Sequence, residues 1–225
     1  MTQRGLPFSP AVASQRIEPA DSLDFFPTPP WATRAFVKYV AVPVLGVRDD
    51  HDEFIWEPAC GEGHMAEPLR EAFRLVVASD IHPYGYDRVC DFLAEEDGKA
   101  ADWIFTNPPF NQAVAFARKA IALSVRGVAL LVRTQWLHTV ERFKLFQDHP
   151  PFVIAYYVER VPMHRGRWEP GGDTATDYCW VCWKHGAEPR APLWIPPGSR
   201  AAFSMLTDAA RFAKPAAAPL IEPGA

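Results

Sequence analysis

Short apolar blocks alternate along this chain with stretches whose apolar residues recur at helical spacing, and that alternation predicts the element order. Prolines at 29 and 30 suit the first turn of a helix running from Trp31 to Val40. Glu53-Phe54-Ile55-Trp56 reads as a strand, and Gly63 opens a helix with Met65, Leu69 and Phe73 on one face. Leu75 to Asp80 and Trp103 to Thr106 read as further strands; Ala113 to Ser124 reads as a helix, Val128 to Val132 as a strand and Thr139 to Asp148 as a helix. Strand and helix units in this order call for an α/β protein with a mostly parallel sheet covered on both faces. The last two strands, Phe152 to Val158 and Tyr178 to Trp183, have no helix between them and are expected to form an antiparallel edge pair.

The remaining segments set the expected domain plan. Residues 1–23 are polar and interrupted by proline, with no period that would bury a face, and are expected to be a disordered tail. Residues 24–185 form the expected catalytic domain, and residues 186–225 a proline- and alanine-rich tail with a short helix around Arg200 to Ala213. A chain of 225 residues with 48% hydrophobic content can bury one sizeable core but is short for two domains. No apolar run approaches the roughly 20 residues needed to cross a bilayer, so a cytoplasmic protein without membrane partners is expected. Of the four cysteines, only Cys179 and Cys182 are closely spaced, and they lie in an aromatic strand; structural thiols and no metal site are expected. A net charge of −4 gives no general attraction to a polyanion, so nucleic-acid binding would need a local basic surface. The cluster Arg160, His164, Arg165 and Arg167 beside Trp168 is the candidate, with Arg133, Arg142 and Lys144 preceding it.

Two motifs carry the chemistry. Asn107-Pro108-Pro109-Phe110 ends the strand Trp103 to Thr106, placing an amide oxygen, a proline-fixed backbone and an aromatic face at a strand tip. Those groups suit a planar, amino-bearing ring. About fifty residues earlier, Glu57-Pro58-Ala59-Cys60-Gly61-Glu62-Gly63 puts a Gly-x-Gly turn after another strand, which suits a nucleoside-bearing cofactor but lacks the third glycine of a dinucleotide fingerprint. Asp80 closes the next strand and Asp91-Phe92 follows, each with an ordinary turn role as its alternative.

Together these residues resemble the S-adenosylmethionine-dependent amino-methyltransferases, most closely the adenine-N6 DNA methyltransferases. The motif order matches over roughly residues 24 to 183. The resemblance implies a Rossmann-like class I methyltransferase fold, a seven-stranded mostly parallel sheet with one antiparallel edge strand. It also implies S-adenosylmethionine as cofactor and DNA as partner. Phe25-Phe26-Pro27-Thr28-Pro29 looks like the family segment that contacts the methionine part of the cofactor, with Phe26 beside it and the Thr28 hydroxyl offered to the carboxylate. Glu57 would stand near the cationic methionine end, and Ala59, Gly61 and Gly63 of the glycine turn would be among the cofactor-binding residues. Asp80 would accept from the ribose hydroxyls and Ile81 would pack on the adenine. Asp91 would accept from the adenine amino group, and Phe92 would cover the ring.

The exocyclic nitrogen of adenine is a poor nucleophile, because its lone pair is delocalised into the ring. A carbonyl acceptor on each of its two hydrogens favours a more pyramidal nitrogen; the Asn107 side chain and the Pro108 backbone could supply both. A sulfonium methyl is already activated, so positioning and electrostatics suffice and no metal is needed. Phe110 would stack on the base, which must leave the duplex to be reached. A second wall should come from loop 159–174, with Met163 and Trp168 as candidates and Arg165 among the phosphate contacts. With no separate recognition domain visible in the sequence, target specificity is expected to be short or relaxed. The open alternatives are methylation of guanine N2 or adenine N6 in RNA, methylation of a protein glutamine, and a non-catalytic nucleotide-binding module. Oligomeric state is not legible in the sequence.

Overall fold

The computed structural model describes residues 24–49, 53–95 and 101–212; the expected tail at 1–23 and the stretch from Ala213 onward lie outside the described residues. The chain enters through an extended segment, Asp24 to Pro29, and α1 (Pro30–Phe36) starts with proline at its first position, where a missing N–H costs nothing. The helix continues beyond the expected Val40, but as a wider π-helical stretch, Val37–Leu45. Pro43 lies inside it and cannot donate to the ladder, and Gly46 at φ 79° ends it in the left-handed conformation.

Strands β1 (Phe54–Glu57), β2 (Leu75–Asp80), β3 (Arg88–Val89), β4 (Trp103–Thr106) and β5 (Gly127–Arg133) are all parallel to one another. Helices α2 (Ala66–Ala72), α3 (Ala113–Leu123) and α4 (Val140–Asp148) fall close to their expected places, with Thr139 capping α4 by accepting from the Arg142 N–H. Strands β6 (Val153–Tyr157) and β7 (Tyr178–Lys184) pair antiparallel, as their missing helix implied.

Two details of the sheet differ from expectation. It has eight strands, in the order β3-β2-β1-β4-β5-β7-β6-β8, and the single reversed strand, β7, lies between β5 and β6 rather than at an edge. The β7 sequence explains this. Tyr178, Trp180 and Cys182 enter one core cluster while Cys179, Val181 and Trp183 enter the other, so both faces are covered, as in an interior strand. The same alternation separates Cys179 and Cys182 onto opposite faces of the sheet, and burial pushes both thiols up from their usual range. Among the described residues no cluster of three His, Cys, Asp or Glu side chains could hold a metal, and no helix is long and apolar enough to cross a membrane.

The eighth strand, β8 (Leu193–Ile195), comes from the segment expected to be a tail and adds parallel to β6. Beyond it α5 (Ser199–Phe203) and α6 (Leu206–Phe212) replace the single expected helix. They are tied into the fold. Buried Arg34 of α1 makes paired hydrogen bonds to Glu71 of α2 and to Asp208 of α6, and donates to the Phe203 carbonyl. Such a bidentate, desolvated arrangement is costly to break from one side.

Candidate functional site

The carboxyl ends of β1, β2 and β4 meet where the strand order reverses, between β1 and β4, which is where open α/β sheets bind ligands. A cavity of about 360 Å³ lies there. It is lined by Phe26, Thr28, Glu57, Ala59, Asp80, Ile81, Asp91, Phe92, Asn107, Pro108, Pro109 and Phe110, so both motifs share one hollow. The same wall includes Phe25 of the segment that resembles the methionine contact, and also His64, Tyr84, Gln112 and Phe116, which the sequence does not single out.

Asn107 is the most constrained of these groups. Its Nδ2 donates to the Phe26 carbonyl at 2.9 Å and to Thr28 Oγ1 at 3.1 Å, while its Oδ1 is buried and has no hydrogen-bond partner among the described residues. The amide orientation follows from chemistry. Turned over, its oxygen would face the Phe26 carbonyl oxygen and the donor would be wasted. A buried acceptor without a partner is costly, and the residue that carries it, Asn107, lines the cavity together with Phe110. Thr28 therefore does not cap α1, since no side-chain cap bond forms there; its oxygen serves Asn107 instead.

The segment from Asp24 to Thr28 gathers the surrounding loops. Asp24, at φ 44°, accepts from the Phe110 N–H, the Phe25 carbonyl accepts from the Gly166 N–H at 2.8 Å, and Phe26 packs 5.0 Å from the Phe110 ring. Phe25 also accounts for one glycine. A Cβ on Gly61, at φ 52°, would stand 2.3 Å from the Phe25 ring, and one on Gly63 would stand 2.3 Å from Tyr86. Glycine is needed in this turn to admit the chain's own rings, a requirement separate from any part the turn has in holding a cofactor.

Asp80 holds the turn from below: its carboxylate accepts from the Gly61 N–H at 2.8 Å and the His82 N–H at 2.9 Å, one on each oxygen. Ile81 beside it is 53% exposed, an apolar surface at the cavity rim. Asp91 does act as a turn acid, accepting from the Leu93 N–H at 3.0 Å, while also lining the cavity. Phe92 is packed edge-on to Trp56 with ring centroids 5.1 Å apart. Glu57 is buried, with Oε2 lacking a partner among the described residues. Burial first, and the nearby Asp80 charge second, push its carboxyl well above the usual range, against an opposing pull from Arg70.

Loop 159–174 divides the remaining candidates. Met163 does not line the cavity but touches a residue that does, its sulfur 3.6 Å from Asn107 Nδ2. Trp168 does not line the cavity; it is buried edge-on to His64 and Phe212, the latter brought in by α6. Arg165 is exposed. Arg160 is within 3.8 Å of Asp177, and Arg167 donates to Glu169 at 2.6 Å. Residues 159–177 thus carry three arginines against four carboxylates, Glu159, Glu169, Asp173 and Asp177, and the expected basic surface is largely compensated within its own loop.

A Type II methyltransferase from Thermus thermophilus is 34% identical over 114 residues, which span 46% of this chain and 24% of that protein. The chain therefore aligns with about a quarter of this curated relative. The structure of the type IIG restriction endonuclease BpuSI superposes with a TM-score of 0.58 at 14% identity, covering 77% of this chain and 27% of that one. A Listeria monocytogenes protein assigned as a class I S-adenosylmethionine-dependent methyltransferase superposes with a TM-score of 0.52 at 13% identity, covering 76% of this chain and 68% of that one. No family model matches the chain. The fold is that of the class I methyltransferases, and the Thermus relative is a methyltransferase by name.

Proposed function

We propose that this protein transfers the methyl group of S-adenosylmethionine to the exocyclic N6 of adenine in DNA, with the target base turned out of the duplex. The observation that carries the reading is the buried, unpartnered Asn107 Oδ1 on the wall of the cavity, its orientation fixed by Phe26 and Thr28. An amino group is the donor that would satisfy it. Phe110 offers the ring face on which a base can stack, worth roughly 1–3 kcal/mol in related aromatic–base contacts. The name of the Thermus relative, a Type II methyltransferase, supports DNA as the substrate.

The residues present fit the cofactor. Glu57 would face its cationic methionine end with the Oε2 that lacks a partner, Asp80 keeps lone pairs for ribose hydroxyls, and Ile81 exposes a flat apolar face to the adenine. When bound, the cofactor supplies an activated methyl on a sulfonium. The chain's own part is to hold the nucleophile: Asn107 accepts one amino hydrogen, and Phe110 and the prolines fix the ring plane. Treating DNA, RNA and protein with the enzyme and labelled cofactor, then identifying the modified residue by mass analysis, tests the reading. N6-methyladenine formed in DNA is the expected product; label in guanine, in RNA or in glutamine, or none at all, would overturn it.

Glu57 makes this reading pH-sensitive. Its carboxyl is held above the usual range before ligand arrives, and a cation beside it favours the ionised form, so binding should release a proton. Cofactor affinity should therefore rise with pH and level off above the raised pKa. Titration calorimetry in buffers of different ionisation enthalpy should detect the released proton, and Glu57→Gln should abolish this release.

A further inference from the structure

Arg133, at the end of β5, stands behind the pocket wall. Its guanidinium carbon lies 4.0 Å over the centroid of the Phe110 ring and 5.5 Å from that of Phe26. Phe110 lines the cavity and Arg133 does not, so the cation backs the ring and leaves the cavity side open. Across the sheet Arg133 pairs in register with Tyr178, whose phenol is pushed up by burial and drawn partly back by the Arg133 charge. The Arg133 Nε is buried without a hydrogen-bond partner. Among the described residues, Arg133 forms no salt bridge, in contrast with Arg160 and Arg167.

We propose that Arg133 is a substrate-positioning residue: its guanidinium plane holds Phe110 toward the cavity, and its remaining N–H groups take a phosphate flanking the nucleotide whose base stacks on that ring. This rests on the nucleic-acid reading of the site. Guanidinium can do both at once, because stacking uses its face while its N–H donors lie in the plane, in a fork that matches phosphate. A nucleotide turned out of the stack presents base and phosphates together, and phosphate contacts fix register while base contacts identify the target. The compensated loop 159–174 leaves that task open, and Arg133 is a cation already in contact with the stacking ring.

The test uses the full chain as wild type, Arg133→Met and Arg133→Lys, with methylation of an adenine-containing duplex followed at several salt concentrations and cofactor affinity measured separately. Arg133→Met should raise KM for DNA by about tenfold or more, with kcat changed less than about threefold and cofactor affinity unchanged. The slope of log affinity against log salt should become shallower by about one, the signature of a lost phosphate contact. Arg133→Lys should restore the salt slope but only part of the KM, since a point charge reaches phosphate without reproducing the planar stack. Unchanged KM and slope in Arg133→Met would overturn the proposal, as would a KM rise with the slope unchanged, which would make Arg133 a packing residue only. Wild-type protein that methylates no nucleic acid would instead remove the functional reading on which the proposal rests.

Discussion

Replacing Asn107 with alanine should lower methyl transfer by on the order of a hundredfold or more, while cofactor affinity stays within about threefold. The side chain has two separable parts. Nδ2 is spent on Phe26 and Thr28, whereas Oδ1 has no partner among the described residues, so the loss falls on the group that would meet the substrate amino hydrogen. Asn107→Asp sharpens this. A carboxylate would set an oxygen against the Phe26 carbonyl where an N–H now donates, so the variant should be poorly active near neutral pH. Its activity should recover in part as the pH falls, because a protonated acid can again donate to Phe26 while its other oxygen accepts. Steady-state rates across pH, with cofactor titration and thermal denaturation of each variant, check both statements. Parallel loss of cofactor affinity would move Asn107 out of the methyl-accepting pocket and into the cofactor site or the scaffold.

The parts of this architecture visible in the sequence are those with short-range causes. The β2, β4 and β5 strands announce themselves as apolar runs, and α4 by its threonine cap. The short strand β8 hides among prolines and alanines, because three residues are too few to show a period. The interior position of β7 was legible in principle, since an unbroken aromatic and apolar run is what a doubly covered strand requires. The site divides in the same way. That Asn107 and Phe110 stand together follows from their spacing, but the anchoring of Asn107 on Phe26, 81 residues away, does not. Nor does the use of Gly61 to admit Phe25. The neutralised loop is a different case: Glu169 lies two residues from Arg167, and counting cations without their neighbouring acids overstated the basic surface.

Asp80→Ala should weaken S-adenosylmethionine binding by about 1.5–3 kcal/mol, roughly 10- to 150-fold, the range for losing charge-assisted hydrogen bonds to a ribose. The structure adds a second source of loss that must be separated from the first. Each Asp80 oxygen already holds a backbone N–H, from Gly61 and from His82, so the variant also releases the glycine turn. A cycle with a cofactor analogue lacking the ribose hydroxyls distinguishes the two. Wild-type protein should lose affinity for that analogue, Asp80→Ala should lose little more on going from cofactor to analogue, and the coupling between the two changes should exceed about 1 kcal/mol. If the losses simply add, Asp80 acts through the Gly61 turn alone, and the ribose would have to be held by another group on the same wall.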